Sequence, residues 1–284
     1  MNRLKSPDFW LTFVCVSFIV VVLVLSLWNQ QKINSYYFSQ DGLRYRILTK
    51  NTDDKTGTVS IIGYQKDRIG NALEIPSTVS AGGVTYSVTT IGEKAFESCT
   101  NLASLTIPDN VTHIEWWAFE NNTGLTNLII GRSVTSIGGC GFGSCENLKS
   151  IEVDKENQSF ANVDGVLYCK DMTLLVGYPG GKEGKKYIIP DSVTNICALA
   201  FANCTSLTNL IIGKNVTFIG ERAFDDCTNL KAIYFKGGPP HIVFSDRTDE
   251  EIKPVLYYIE GTPGWRTPIW IRAGYKTKTW TPEP

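Results

Sequence analysis

The chain has 284 residues, of which 27 are basic and 28 acidic, and its formal net charge is −1 at pH 7. This balance supplies no basic field for nucleic acid, and 43% hydrophobic residues with 25 glycines describe a turn-rich folded chain, not a disordered one. Its length, near that of two average domains, decides little until internal repeats have been sought.

Trp10 to Trp28 carries no charge. At about 1.5 Å per residue the run is long enough to cross a hydrocarbon layer. Arg3 and Lys5 precede it, which favours an N-in, C-out orientation. Residues 1–28 are therefore expected to be an uncleaved signal-anchor, a single N-terminal transmembrane helix. A signal peptide cleaved near Val24-Leu25-Ser26 is the alternative. Either way, the rest of the chain is expected outside the cytoplasm. Residues 29–40 read as a polar tether.

Residues 41–87 read as an N-terminal cap. "DGLRYRILTKNTDDKTGTVSIIGY" gives two strands about a turn at Asn51 to Gly57, and "ALEIPSTV" supplies a first repeat strand. The acidic turn has the composition of a calcium loop, but a solvated hairpin tip accounts for it.

A repeat occupies residues 88–240. Phenylalanine recurs every 23 residues at Phe96, Phe119 and Phe142, and again at Phe201 and Phe224. A leucine follows each time at Leu102, Leu125, Leu148, Leu207 and Leu230. The unit is V-T-x-I-G-x-x-A-F-x-x-C-T-x-L-x-x-L-x-I-P. Its x-L-x-I end, as in Ser104 to Ile107, alternates with period two and predicts a short strand. Its A-F-x-x-C-x-x-L part places apolar residues at helical spacing and predicts a turn or two of helix. Stacked copies make an α/β-type repeat solenoid with parallel strands about 5 Å apart. An insertion between Val134 and Val193 contains "VDGVLYCKDMTLLVGYP", expected as a protruding hairpin within residues 154–186. Residues 241–284, rich in aromatics, glycine and proline, are expected to close the last coil.

"IPDSVTNICALAFANC" (Ile189 to Cys204) and "IPDNVTHIEWWAFENN" (Ile107 to Asn122) resemble the BspA-like leucine-rich repeats, whose signature is close to IPDSVTSIGxxAFxxCxxL. The resemblance extends over roughly residues 43–280. It implies a right-handed curved solenoid with strands on its concave face, typically on a bacterial cell surface. Glu115 and Cys197 depart from it at the usual glycine, Gly141 at the usual alanine and Asn122 at the usual cysteine.

No catalytic constellation appears. His113 and His241 are isolated, and neither a nucleophile elbow nor an H-E-x-x-H motif is present. Cys99, Cys145, Cys204 and Cys227 share one repeat position and are expected as buried free thiols, although Cys204 and Cys227 on adjacent coils suit a disulfide. Cys140, Cys169 and Cys197 lie off that column, without C-x-x-C spacing, so no metal or cofactor is expected. "IGGCGFGSC" from Ile137 aligns in register with "IGEKAFESC" and is a repeat turn, not a phosphate loop. The N-x-S/T triplets at Asn110, Asn121, Asn157, Asn203 and Asn215 are mostly by-products of the repeat.

A ligand is expected on the concave face, on the second x of each strand: Glu74, Thr106, Ile129, Glu152, Ile188, Ile211 and Tyr234. β-Propensity explains isoleucine and tyrosine there equally well. A face roughly 30 Å long suits a protein or a glycan chain. A second patch is expected at Trp116 and Trp117, where the outer coils carry the charged pairs Glu93-Lys94 and Glu221-Arg222. Exposed tryptophans are costly, so the hairpin from Val166 to Tyr178 is expected to cover part of this patch, failing which the patch is a second contact site or one ring is tucked between coils. The expected function is non-catalytic presentation of an extracytoplasmic surface for protein binding or adhesion. Alternatives are glycan binding through Tyr257, Tyr258, Trp265, Trp270, Tyr275 and Trp280, which could equally cap the last coil, and a structural envelope role without a discrete ligand.

Overall fold

The structure, a computed structural model, describes residues 36–139, 142–242, 254–265 and 274–282. Each coil carries two strands. The longer ladder is built by the x-L-x-I segments, in two separate sheets. Ala72–Glu74, Ser104–Ile107, Asn127–Ile130 and Ser150–Val153 form one, and Lys186–Ile188, Asn209–Ile212, Ala232–Phe235, Val255–Ile259 and Thr277–Trp280 form the other. Neighbours within both sheets are parallel and in register. The shorter ladder uses the V-T-x-I segment, as His113–Ile114 beside Ser136–Ile137 and Asn195–Ile196 beside Phe218–Ile219. At the N-terminal end that ladder runs into the antiparallel strands Tyr37–Gln40, Leu43–Asn51 and Thr56–Tyr64.

The expected α/β architecture is corrected. Apart from the three-residue 3-10 turn Lys66–Arg68, the described residues contain no helix. The A-F-x-x-C segments have helical spacing but a different backbone. Two residues before Phe96 and Phe119 and two after them, φ is left-handed: 56° at Lys94 and 57° at Ser98, 55° at Trp117 and 58° at Asn121. The same holds around Phe201, with 55° at Leu199 and 61° at Asn203. A helix cannot propagate through such residues. Their amides instead bond to the next coil, Lys94 N to Trp116 O at 3.2 Å, Phe96 N to Ala118 O at 2.9 Å and Ser98 N to Glu120 O at 2.8 Å. The expected transmembrane helix finds no support among the described residues either. Among the described residues no helix is long and apolar enough to cross a membrane, and Trp10 to Trp28 lies outside them.

Side-chain columns hold the coils together. Tyr64, Phe96, Phe119 and Phe142 stack at 5.9, 5.4 and 5.7 Å between ring centres. A second stack runs from Tyr178 through Phe201 to Phe224 at 5.1 and 5.7 Å. The cysteine column is also a hydrogen-bond column. Asn122 Nδ2 donates to Phe96 O at 2.9 Å, Cys145 Sγ to Phe119 O at 3.3 Å and Cys227 Sγ to Phe201 O at 2.9 Å.

The insertion does not protrude. Phe160–Val163 and Val166–Cys169 form an antiparallel hairpin, and Leu174–Gly177 follows, pairing in parallel with Asn195–Ile196 as a coil would. Val166, Leu167 and Tyr168 are consecutive and all buried, which a strand achieves only when both of its faces are covered. Leu167 enters the N-terminal core, while Val166 and Tyr168 enter the C-terminal one. The hairpin is thus a partition between two half-coils. Its turn borders the longer ladder, where Ile151 N bonds Gly165 O at 2.9 Å and Val153 N bonds Asn162 Oδ1 at 3.0 Å.

Candidate functional site

The predicted binding column is divided by this partition. Glu74, Thr106, Ile129 and Glu152 are neighbours on the N-terminal sheet. Ile188, Ile211 and Tyr234 are neighbours on the C-terminal sheet, where the column continues to Tyr257 and Lys278. The two sections differ in chemistry. Glu74, Thr106 and Glu152 are exposed and Ile129 is half-buried, so the first section is mostly polar. In the second, Ile188 is 49% exposed, whereas Ile211 between its neighbours is only 7% exposed. Tyr234 stacks on Tyr257 at 4.6 Å and meets Trp280 edge-on at 5.1 Å. Burial pushes the Tyr234 hydroxyl above its ordinary pKa, and Tyr257 adds to the shift. Tyr257 stands one period after Tyr234, so the repeat spacing could have found it.

Trp116 is 53% exposed and Trp117 half-buried, with the rings 5.8 Å apart. Lys94 Nζ lies 5.5 Å from the Trp117 ring centre, a cation–π contact from the preceding coil. On the other side the Trp116 ring fills the space that a side chain on Gly139 would need. The tryptophans are therefore held by the coils before and after them, and the Val166–Cys169 strand is buried in the partition between the half-coils. Beyond Gly139, where the two halves meet, a cavity of ≈ 80 Å³ is lined by Phe142, Val176, Tyr178 and Leu199 among others.

The C-terminal aromatics are largely structural. Trp265 is buried, stacks with Tyr258 at 5.2 Å and donates its indole N–H to Gly237 O at 3.1 Å. Tyr275 packs on the same core, and Trp270 lies outside the described residues. Cys99, Cys145, Cys204 and Cys227 are buried free thiols. Burial raises the Cys145 pKa to about 12 and moves Cys204 well above its ordinary value, where Cys227 adds to the shift. Thiols held protonated in this way are poor nucleophiles. Cys140 lies outside the described residues, and Cys169 and Cys197 are half-buried. Among the described residues no group of three or more His, Cys, Asp or Glu is placed to hold a metal ion. His113 is engaged with Thr112 Oγ1 at 2.8 Å, and His241 stacks on Phe218 at 5.8 Å.

Among solved structures the chain is similar to the leucine-rich repeat protein of T. pallidum, with 20% identity and a TM-score of 0.46 over 85% of this chain and 97% of that one. It is also similar to a leucine-rich repeat protein of Eubacterium ventriosum, with 22% identity and a TM-score of 0.42 over 78% of each chain. A leucine rich cell surface protein of Faecalibacterium prausnitzii matches with 19% identity and a TM-score of 0.32, over 70% of this chain and 88% of that one. No curated protein matches the chain. The model of the BspA type leucine-rich repeat region matches in six copies over residues 78–164 and 181–243, just over half of the sequence. The columns of Phe, Leu and Ile described above are that repeat, and the chain belongs to the BspA-type leucine-rich repeat family.

Proposed function

We propose that the protein is a non-catalytic, extracytoplasmic scaffold that binds another protein on the outward face of its C-terminal sheet, with Ile188 and Tyr234 at the centre. The observation that carries this reading is the unbroken column Ile188–Ile211–Tyr234–Tyr257. An aliphatic chain buried on binding contributes roughly 1.5–3 kcal/mol, and half-exposed Ile188 has much of that still to gain. The N-terminal section argues against general β-propensity as the whole explanation, because the same repeat position there holds Glu74 and Glu152, a residue type depleted in strands. Tyr234 and Tyr257 each spend one face on the other, which leaves less ring face for a sugar to stack on and favours a protein. The charge-free run behind Arg3 and Lys5 supports export of the repeats.

The test is affinity capture with a photo-crosslinker at Asn209, beside the column, comparing the native chain with Ile188→Lys. A protein crosslinked by the native chain and lost in the variant supports the reading. A partner held equally by both sinks it.

A further inference from the structure

The apolar column has a charged frame. On the C-terminal sheet the outward face has a second column, Lys186, Asn209, Ala232 and Val255. Lys276 extends it, its carbonyl accepting from Leu256 N at 2.8 Å. One residue further toward the strand starts, Lys231 bonds through its carbonyl to Val255 N at 2.9 Å, and Lys185 through its own to Thr208 N at 2.8 Å. Lys185 and Lys186 thus stand at one end of the sheet, Lys276 and Lys278 at the other, and Lys231 along the side between them. All five are exposed, and among the described residues none makes an ion pair. Glu183 and Glu260 lie outside the framed area, before the first strand and beyond the end of Val255–Ile259.

The N-terminal sheet has no such frame. Its corresponding positions are Asn71, Ala103, Thr126 and Lys149 before the strands, and Ala72, Ser104, Asn127 and Ser150 on the face. Its outward column carries Glu74 and Glu152. The basic character therefore belongs to one half of the molecule and coincides with the apolar column. An apolar centre within a polar rim is the anatomy of a protein interface, and the sign of the rim selects the partner.

We infer that this face recognises an acidic protein segment, one with apolar side chains between two groups of carboxylates. The inference rests on the protein-binding reading above and adds the chemistry of the partner. The five strands put the lysine groups about 19 Å apart at ~4.8 Å per strand, a distance that an extended peptide spans in about six residues at ~3.3 Å each. Such a segment lies across the strands, its apolar residues on Ile188, Tyr234 and Tyr257 and its carboxylates at the lysines of either end.

The test is fluorescence anisotropy of the full-length chain with the labelled peptide Glu-Glu-Leu-Val-Leu-Val-Glu-Glu and its counterpart with Lys for every Glu. The acidic peptide is expected to bind at least tenfold more tightly, with an affinity that falls as salt rises. The double variant K231E/K278E should lose tenfold or more for the acidic peptide and gain for the basic one, with an unchanged circular dichroism spectrum. I188S should weaken the acidic peptide while leaving its salt dependence in place. Equal binding of the two peptides overturns the inference, as does indifference to K231E/K278E. If hyaluronate displaces the peptide and I188S has no effect on either, the face reads a polyanion and the inference falls. Capture of a partner that depends on Ile188 but not on Lys231 or Lys278 leaves the protein-binding face standing and removes only the acidic frame.

Discussion

Asn122 makes to Phe96 the bond that Cys145 makes to Phe119: a side-chain donor reaches the carbonyl of the phenylalanine one coil back, at 2.9 Å in the first case and 3.3 Å in the second. The asparagine brings an oxygen that the cysteine does not have, and Asn122 Oδ1 is buried without a partner. An unsatisfied buried acceptor costs about 1–3 kcal/mol. Asn122→Cys should therefore stabilise the protein by about 1 kcal/mol, while Asn122→Ala, which removes the Nδ2 bond and leaves the Phe96 carbonyl only the Cys99 N–H at 3.2 Å, should destabilise it by about the same amount. Urea midpoints of the three proteins give opposite signs, and a destabilised Asn122→Cys would show that the column does not accept a thiol at this coil.

Gly139 is the seat of the Trp116 ring, and its own φ is not in the left-handed region. Gly139→Ala should thus displace the ring without breaking the backbone turn. Stability should change by less than about 1 kcal/mol, because an exposed ring has somewhere to go. Tryptophan emission should shift to the red. Unchanged emission would mean that the ring does not rest on this glycine.

Ile188 and Ile211 occupy the same repeat position yet differ in what they tolerate. Ile188→Lys should lie within about 0.5 kcal/mol of the native protein, as surface substitutions do. Ile211→Lys removes a buried aliphatic chain from between Ile188 and Tyr234 and should cost roughly 1.5–3 kcal/mol. Thermal denaturation separates the two. Equal losses would place Ile188 in the core as well.

The Tyr45 phenol is pushed up to about 12 by burial, with the charge of Asp41 adding to the shift. The Tyr64 phenol also rises to about 12, again mainly by burial. In the unfolded chain such groups ionise near 10. The folded state binds the proton more tightly, so the stabilisation is complete below about pH 10 and is lost as pH climbs from there toward 12. Guanidine midpoints measured between pH 8 and 12 should fall through that window. Tyr45→Phe should flatten the fall, and at pH 7 it should cost nothing, because Tyr45 Oη is buried without a hydrogen-bond partner. A slope that Tyr45→Phe leaves unchanged would assign the alkaline loss to other groups.

The columns were legible in the sequence because side chains set them. Phe96, Phe119 and Phe201 are buried and stacked as their spacing requires, and Leu105 and Ile107 face inward from an alternating strand. The coil turn was not legible, because none of its left-handed residues is glycine, neither Lys94, Trp117, Leu199 and Arg222 before the phenylalanines nor Ser98, Asn121, Asn203 and Asp226 after them. Bonds between coils impose that conformation, and letters within one coil do not record it. The hairpin did leave a signal. Val166-Leu167-Tyr168 is a solid apolar run without alternation, the pattern of a strand covered on both faces rather than of a protruding arm. The candidate face was legible as far as Tyr234 and lost at Tyr257, where the glycine- and proline-rich composition conceals one more strand in register.

The partition at Val166 to Cys169 also gives the molecule a joint. Among the described residues neither ladder pairs backbone directly across it, and the halves meet through the hairpin and through single bonds such as Gly181 N to Leu148 O at 2.9 Å. A whole coil can be gained or lost on one side without altering what the hairpin touches on the other. The acidic and the basic outward faces can therefore change length independently.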